Sequence, residues 1–261
     1  MDDYPYIHRQ LEEAVLAGPV RRRAELILGP RQVGKTTMFN HLVEGERVLR
    51  LTGEDEQDLS ILADPSSYPK LTDQFPNILI DEAQFVPDIG RVMKRMVDNN
   101  TRGARIFVTG SSALDLGGRL KESAAGRFNS YHLWPFSLEE LAQQSSWIEV
   151  KRQIQDRMVY GCLPDVVNDP AHAQAYLLDF SDTLLYKDLF RLAEVRKPTD
   201  LVKLVTYLAA SVGSEIRYGS LASELGIQNK TIERYVDLLG VLYCEGGSFM
   251  VTKSHLRTQT Q

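Results

Sequence analysis

A glycine-rich segment constrains the fold of this chain more than any other part of its sequence. Residues Gly29 to Met38 read GPRQVGKTTM, which fits the pattern G-x-x-x-x-G-K-[ST]. The apolar run AELILG leads into this segment, and residues 34–43 have helical spacing. A strand, a loop and a helix in this order present backbone N–H groups and the positive end of the helix to phosphate. We therefore expect a site for nucleotide phosphates here.

The residue types of this loop suggest individual roles. The side chain of Lys35 would reach the β- and γ-phosphates, and the hydroxyl of Thr36 would bind Mg²⁺. Lys35 is also counted among the catalytic residues because its charge lies next to the transferred phosphate. The predicted nucleotide-binding residues are Gly29, Pro30, Arg31, Gln32, Val33, Gly34, Lys35, Thr36 and Thr37.

Apolar segments and helical segments alternate after the loop. The predicted strands RVLRLTG, NILIDEAQ and ARIFVTGSS are separated by helical patterns, of which residues 88–98 are clearly amphipathic. Residues 6–17 also have helical spacing, residues 59–68 form a weak segment interrupted by proline, and Ser137 with Glu140 predicts the capped start of a further helix. This order predicts an α/β fold, the three-layer αβα parallel sheet of a P-loop NTPase. We expect the sheet domain to span residues 1–145, a helical region residues 146–211, and a winged-helix domain residues 212–261.

Two carboxylates end the predicted strand NILID. Asp81 would bind Mg²⁺, and Glu82 would orient and deprotonate the water that attacks the γ-phosphate. The position of this pair, one strand downstream of the loop, favours a catalytic role. The alternative is the start of a helix, where acidic residues are electrostatically favourable.

Two further elements are candidates for catalysis. The strand IFVTGSS ends in hydroxyls, and Ser111 is the preferred sensor of the γ-phosphate, ahead of Ser112. Arg127, in the segment AAGRF, is a candidate arginine finger that acts in its own chain or in a neighbouring subunit, with Arg119 as a weaker candidate. The alternatives are a serine-rich turn and a solvated surface arginine.

The C-terminal region has the pattern of a winged helix. A short helix (221–225), a turn at Gly226 and a second helix (228–239) would be followed by a β-hairpin (241–251) around Gly246 and Gly247. The second helix would turn Ile232, Val236 and Leu239 toward the core. The residues expected on the exposed face of the second helix, suited to DNA edges or phosphates, are Asn229, Lys230, Thr231 and Arg234. The alternative is a domain that packs against a partner or acts as a lever.

The composition excludes several classes of protein. The 261 residues carry a net charge of −5, without the overall basic character of a nucleic-acid binder. The two cysteines lack metal-type spacing, the N-terminus lacks the apolar core of a signal peptide, and apolar runs of membrane-spanning length do not occur. We therefore expect a cytoplasmic protein without a membrane partner.

Taken together, the motifs resemble a prokaryotic family of AAA-type P-loop ATPases with an additional catalytic glutamate. The matching segments are GPRQVGKTT, ILIDEAQ, FVTGSSA, the GR of AAGRF, WPFSLEEL, YGCLPDVV, LLYKDLF and LASELGIQNKTIERYV. The resemblance implies ATP as the nucleotide, a helical lid and a winged helix. It also implies a C-terminal domain with a restriction-nuclease-like fold, which we expect this chain to lack because the sequence ends at SHLRTQTQ.

The resulting hypothesis is a Mg²⁺-dependent ATPase that converts ATP and water to ADP and phosphate. Its nucleotide state would move the helical lid and the winged helix, and a homo-oligomer would allow Arg127 to act on a neighbouring site. A second hypothesis is a nucleotide-gated DNA-binding regulator with negligible turnover. A third is a protein-interaction switch in which the winged helix docks a partner.

Overall fold

A computed structural model of the chain describes residues 4–18, 23–111, 126–183, 197–211 and 217–243. These residues fall into two compact units. The first unit contains the residues up to Arg157 together with Cys162–Pro164. The second contains Met158–Gly161 together with the residues from Asp165 onward. The two units are described separately below.

The described part of the first unit contains a five-stranded sheet in the order β2-β3-β4-β1-β5, with all neighbouring strands parallel. The strands are β1 (Ala24–Gly29), β2 (Val48–Thr52), β3 (Asn77–Asp81), β4 (Arg105–Ser111) and β5 (Phe128–His132). The helices are α1 (Gln10–Ala17), α2 (Lys35–Leu42), α3 (Glu56–Ala63), α4 (Tyr68–Gln74), α5 (Ile89–Asp98), α6 (Leu138–Gln144), α7 (Trp147–Arg152) and α8 (Ile154–Tyr160). Helix α8 continues past Arg157 into the second unit.

The strands bury side chains on both faces of the sheet, as the apolar runs predicted. In β1, Leu26 and Leu28 pack in one core with residues of α3, α4 and α5. Ile27, which points to the opposite face, packs in a second core with residues of α1 and α2. The same alternation holds for β3 and β4. Because helices cover both faces, this unit has the αβα layers predicted from the sequence.

The strand register brings the predicted site to one edge of the sheet. Gly29 is paired with Ser111 across β1 and β4, and Thr52 is paired with Asp81 across β2 and β3. The carboxyl ends of these strands therefore lie together, which is where ligands bind in open parallel sheets.

Local structure differs from the sequence prediction in two places of this unit. Helix α1 begins at Gln10 and not at Tyr6. The region that the sequence indicated as a weak, proline-interrupted segment contains α3 and α4. The side chain of Asp55 caps α3 by accepting hydrogen bonds from its first-turn N–H groups, and Pro69 lies in the first turn of α4, where proline is tolerated. The predicted cap of α6, in contrast, is confirmed: Ser137 and Glu140 form a capping box.

The second unit is helical throughout its described residues. Its helices are α9 (Pro164–Asn168, of which Pro164 belongs to the first unit), α10 (Ala173–Thr183), α11 (Pro198–Ala210), α12 (Tyr218–Leu225) and α13 (Asn229–Tyr243). The predicted helix, turn and helix are present as α12, Gly226 and α13, with Ile232, Val236 and Leu239 buried as expected.

The predicted hairpin requires a correction. Helix α13 continues through Tyr243, so residues 241–243, which the sequence assigned to the first hairpin strand, are helical. Gly240 does not end the helix, because a glycine inside a helix costs only about 1 kcal/mol and the apolar pattern continues past it. Residues 244–251, the rest of the predicted hairpin, lie outside the described residues.

Among the described helices, none combines the length and the apolar character needed to cross a lipid bilayer.

Candidate nucleotide-binding site

The glycine-rich loop connects the buried strand β1 to helix α2. Gly34 has a φ of +93° and precedes the first residue of the helix, where the Met38 N–H donates to its carbonyl at 2.8 Å. Residues with a Cβ rarely adopt this left-handed conformation, so a glycine is required at this turn. The loop therefore points the amino end of α2, with its unpaired N–H groups, toward the carboxyl edge of the sheet.

Lys35 lies deep in the loop. The residue is 7% exposed, and its ammonium donates to the carbonyls of Gly29 at 3.1 Å and Pro30 at 2.8 Å. Burial lowers the pKa of Lys35, whereas the carboxylates of Glu82 and Asp81 act in the opposite direction. The cation is thus held by the backbone of the loop, close to both predicted acidic residues.

Asp81 is fixed at the end of β3 by donors on both of its carboxylate oxygens. The Thr36 hydroxyl donates to Oδ2 at 2.9 Å, and the Glu82 N–H donates to Oδ1 at 3.0 Å. The buried Thr109 hydroxyl also donates to Oδ1. A hydroxyl oxygen and a carboxylate oxygen side by side are metal ligands that suit Mg²⁺, so Thr36 and Asp81 fit the predicted role in metal binding.

Glu82 follows Asp81 in a left-handed backbone conformation, with φ 48° and ψ 45°. This turn lies against Gly53: the Gly53 N–H donates to the Asp81 carbonyl at 2.9 Å, and a Cβ on Gly53 would lie 2.4 Å from the Glu82 carbonyl oxygen. The amide of Gln84 donates to Oε2 of Glu82. The backbone and the side chain of Glu82 are therefore both held in place.

Arg9 binds the backbone of the phosphate loop, a contact that was not predicted from the sequence. This arginine is 3% exposed, and it donates to the Val33 carbonyl at 3.0 Å and to Oε1 of Glu140 at 3.1 Å. Its guanidinium carbon also lies 4.5 Å from the centre of the Phe136 ring. A single arginine in a helical pattern carries no local signal for such a contact, because its partners are 24 and 131 residues away.

The predicted sensor residues are only partly described. Ser111 is the last residue of β4, and its backbone is paired with Gly29 of the phosphate loop. Its side chain, together with Ser112 and Arg119, lies outside the described part of the chain. Thr109, two residues before Ser111 on the same strand, instead donates to Asp81.

Arg127 does not join the other predicted site residues. It immediately precedes β5, and its carbonyl accepts from the N–H of Ala24, at the amino end of β1. Its guanidinium forms a bidentate ion pair with Asp98, with N–O distances of 2.8 and 3.1 Å. Gly29 lies at the other end of β1, roughly 16 Å away at about 3.3 Å per residue. An arginine finger in the same chain conflicts with this position, and a role in a neighbouring subunit stays a prediction.

The second unit contains a groove of about 580 Å³ beside the start of α13. Its lining residues are Lys197, Asp200, Gly226, Ile227, Gln228, Lys230, Thr231, Arg234 and Tyr235. Among the residues predicted for DNA contact, Asn229, Lys230 and Arg234 are exposed and Thr231 is half-buried.

Comparison with known families agrees with this geometry. Residues 21–142 match the model of a family described as an AAA domain, and residues 151–244 match a family described as a domain of unknown function. The fold is similar to the Walker-type ATPase PABY2304 of Pyrococcus abyssi, with a TM-score of 0.61, 14% sequence identity, and coverage of 91% of this chain and 90% of that chain. The first region therefore resembles an AAA domain in sequence and shares the fold of that Walker-type ATPase.

Curated relatives match over most of the chain. Uncharacterized proteins of Mycobacterium tuberculosis and Mycobacterium bovis are each 30% identical over 218 residues, which is 82% of this chain and 47% of theirs. An uncharacterized protein of Methanocaldococcus jannaschii is 21% identical over 248 residues, which is 87% of this chain and 55% of its own length. The chain thus spans about half the length of the curated relatives it matches.

Proposed function

We propose that this chain is a Mg²⁺-dependent ATPase that converts ATP and water to ADP and phosphate. The observation that carries the proposal is the convergence of Lys35, Thr36, Asp81 and Glu82 at the carboxyl edge of one parallel sheet. The match to an AAA domain and the likeness to a Walker-type ATPase support ATP as the nucleotide.

Binding of ATP uses the loop and the first turn of α2. The N–H groups of residues 31–37 donate to phosphate oxygens, and the ammonium of Lys35 exchanges its carbonyl partners for the β- and γ-phosphates. This exchange is favourable because the ammonium is already desolvated, so a charged phosphate oxygen is a stronger partner than a neutral carbonyl. Ser111, opposite Gly29 in the sheet, contacts the γ-phosphate.

The hydroxyl of Thr36 and the carboxylate of Asp81 would hold the magnesium ion. When bound, Mg²⁺ neutralises charge on the phosphate oxygens during transfer. Thr109 keeps the Asp81 carboxylate in its orientation through the bond to Oδ1.

Glu82 is the general base. It accepts a proton from the attacking water, whose oxygen bonds to the γ-phosphorus while the bond from that phosphorus to the bridging oxygen of ADP breaks. Gln84 donates to Oε2 and holds the carboxylate, and we assign Oε1 as the proton acceptor.

The nucleotide state moves the helical region and the C-terminal helices.

The test is steady-state phosphate release from ATP and Mg²⁺, measured for the wild-type chain and Glu82→Gln, together with titration of a fluorescent nucleotide. The substitution should lower turnover at least ~100-fold and leave nucleotide affinity intact. Lys35→Ala should abolish tight nucleotide binding. Equal turnover in Glu82→Gln would remove Glu82 from catalysis, and unchanged affinity in Lys35→Ala would overturn the site itself.

A nucleotide-gated DNA-binding regulator is the second candidate. The groove at the start of α13 favours it, because Lys197, Lys230 and Arg234 line one surface beside a helix that follows a glycine turn. Duplex DNA should then bind with an affinity that falls steeply with salt, since phosphate contacts release counterions. Lys230→Ala should reduce that salt slope, whereas a protein-interaction switch would show no DNA binding at any salt concentration.

A further inference from the structure

Two histidines and a buried glutamate meet on the first unit, away from the phosphate loop's ligand edge. His8 precedes α1, Glu12 lies in its first turn, and His41 lies in the last turn of α2. Oε2 of Glu12 is 3.2 Å from Nδ1 of His8 and 3.0 Å from Nδ1 of His41. The ligand atoms of the three side chains all lie within 4.8 Å of one another.

These distances suit coordination of one metal ion. In a tetrahedral zinc site the metal–nitrogen and metal–oxygen bonds are about 2.0–2.2 Å, so neighbouring ligand atoms are separated by about 3.3 Å. The two nitrogen–oxygen distances around Glu12 are close to that value. Two histidines and one glutamate, with a further position for water, form a ligand set that zinc uses in proteins.

The environment of Glu12 presents one oxygen to the histidines. Its side chain is 2% exposed, and Oε1 accepts hydrogen bonds from the Tyr6 hydroxyl at 2.5 Å and the Arg9 N–H at 2.8 Å. These donors orient the carboxylate as the outer hydrogen bonds of metal ligands do, and Oε2 faces both imidazoles.

The histidines are placed differently around this carboxylate. The ring of His41 stacks on Tyr6 with a centroid separation of 4.0 Å, which fixes its orientation. His8 is more exposed, with 53% of its side chain accessible, so it offers an entry path for an ion. Imidazole nitrogen and carboxylate oxygen together favour Zn²⁺ over Mg²⁺, which prefers oxygen ligands.

We propose that His8, Glu12 and His41 form a Zn²⁺ site that ties the segment around α1 to α2, the helix that begins with Lys35. The neighbouring Arg9 already binds the Val33 carbonyl of the phosphate loop. With a metal bound, two adjacent residues of this segment would hold the phosphate loop and its helix: Arg9 through the Val33 carbonyl, and His8 through the metal shared with His41. The site is distinct from Thr36 and Asp81, and it does not depend on the proposed ATPase activity.

The test is a titration of the purified, tag-free full chain with Zn²⁺ against a chromophoric chelator, in excess Mg²⁺ so that oxygen-ligand sites are saturated. The wild-type chain should take up one equivalent of Zn²⁺ more tightly than His8→Ala and His41→Ala, each by at least about tenfold. The matched control is His172→Ala, which removes an exposed histidine whose Nδ1 lies 2.8 Å from Asp169 in the second unit. It should bind Zn²⁺ like the wild type.

Thermal unfolding gives a second readout. Zn²⁺ should raise the Tm of the wild-type chain and of His172→Ala but not of His8→Ala, because an ion bound only to the folded state stabilises it. His41→Ala also loses the stacking of this ring on Tyr6, which could lower Zn²⁺ uptake by itself. His8→Ala is therefore the decisive variant, because the exposed His8 side chain can be removed without leaving a cavity. Zn²⁺ uptake and Tm shifts in His8→Ala equal to those of the wild type would overturn the site, as would a wild-type chain that takes up no Zn²⁺. In either case the side chains would form only a hydrogen-bonded cluster.

Discussion

The hydroxyl of Thr36 donates a 2.9 Å hydrogen bond to Oδ2 of Asp81, which joins the first turn of α2 to the carboxyl end of β3. The two oxygens proposed to bind magnesium are thus adjacent. The geometry depends in turn on Thr109, whose buried hydroxyl donates to the other oxygen of the same carboxylate. The orientation of the metal ligand is therefore set by a residue from a different strand.

Thr109→Val should weaken the effect of Mg²⁺ without removing nucleotide binding. The substitution keeps the volume and deletes the donor to Asp81, and outer-shell bonds of this kind contribute 10–100-fold to metal affinity. We expect the Mg²⁺ concentration for half-maximal phosphate release to rise by about tenfold. Thr109→Ser, which retains the hydroxyl, should behave like the wild type. An unchanged Mg²⁺ dependence in the valine variant would show that Thr109 is only a packing residue.

Gly53→Ala should slow turnover more than it weakens nucleotide binding. A Cβ at this position would lie 2.4 Å from the Glu82 carbonyl oxygen, so the backbone of the proposed general base must move. A displacement of about 1 Å can cost on the order of 100-fold in rate. The matched control is Gly219→Ala, since a Cβ there meets nothing within 4 Å. If both variants turn over at the wild-type rate, the position of Glu82 is not critical.

The sequence predicted those parts of the site whose signal is local. The loop around Lys35 and the strand ending at Asp81 have fixed spacings and characteristic apolar runs, so the parallel sheet and its ligand edge could be predicted. The contacts of Arg9 and Thr109 could not, because each depends on residues that only the fold brings together. Sequence spacing does not specify which buried hydroxyl faces which carboxylate.

The position of Arg127 follows from the topology of the sheet and not from a local sequence pattern. Its place after the sensor strand suggested the ligand edge. However, β5 runs parallel to β1, so the chain must return to the amino edge of the sheet before β5 begins at Phe128. Arg127 therefore lies beside the start of β1, paired with Asp98. The rule that parallel strands begin at the same edge would have placed it correctly.

Arg127→Ala should have little effect on nucleotide binding. It should also have little effect on turnover at a low protein concentration, where subunits are not associated. The ion pair with Asp98 is at the surface, where such pairs contribute little to stability. A role in a neighbouring subunit is testable by mixing Arg127→Ala with Glu82→Gln. If Arg127 completes a neighbour's site, the variant loses turnover by itself and regains part of it in the mixture. Full turnover of the variant at every protein concentration would exclude the finger.

Glu25→Gln should stabilise the fold at neutral pH. Glu25 lies in β1 with 4% of its surface exposed, and its Oε2 has no hydrogen-bond partner among the described residues, while Asn129 donates to Oε1 at 3.1 Å. Burial raises the pKa of Glu25, an effect that hydrogen bonds from Asn129 and Tyr131 and the charges of Arg105 and Arg23 oppose. A glutamine keeps the acceptor for Asn129 and removes the charge, so the gain should be roughly 1 kcal/mol, at the lower end of the cost of an unsatisfied buried group.

The pH dependence of this gain follows from the direction of the shift. Because the folded state holds the Glu25 proton more tightly than the unfolded state, stability falls as the pH rises from the unfolded pKa, about 4.3, to the folded pKa. The difference in Tm between Glu25→Gln and the wild type should therefore be largest at neutral pH and shrink as the pH falls below that window. Glu13→Gln, which removes the same charge from an exposed position of α1, is the control and should leave Tm nearly unchanged. A lower Tm for Glu25→Gln at neutral pH would mean that the ionised carboxylate has a stabilising partner that outweighs its burial.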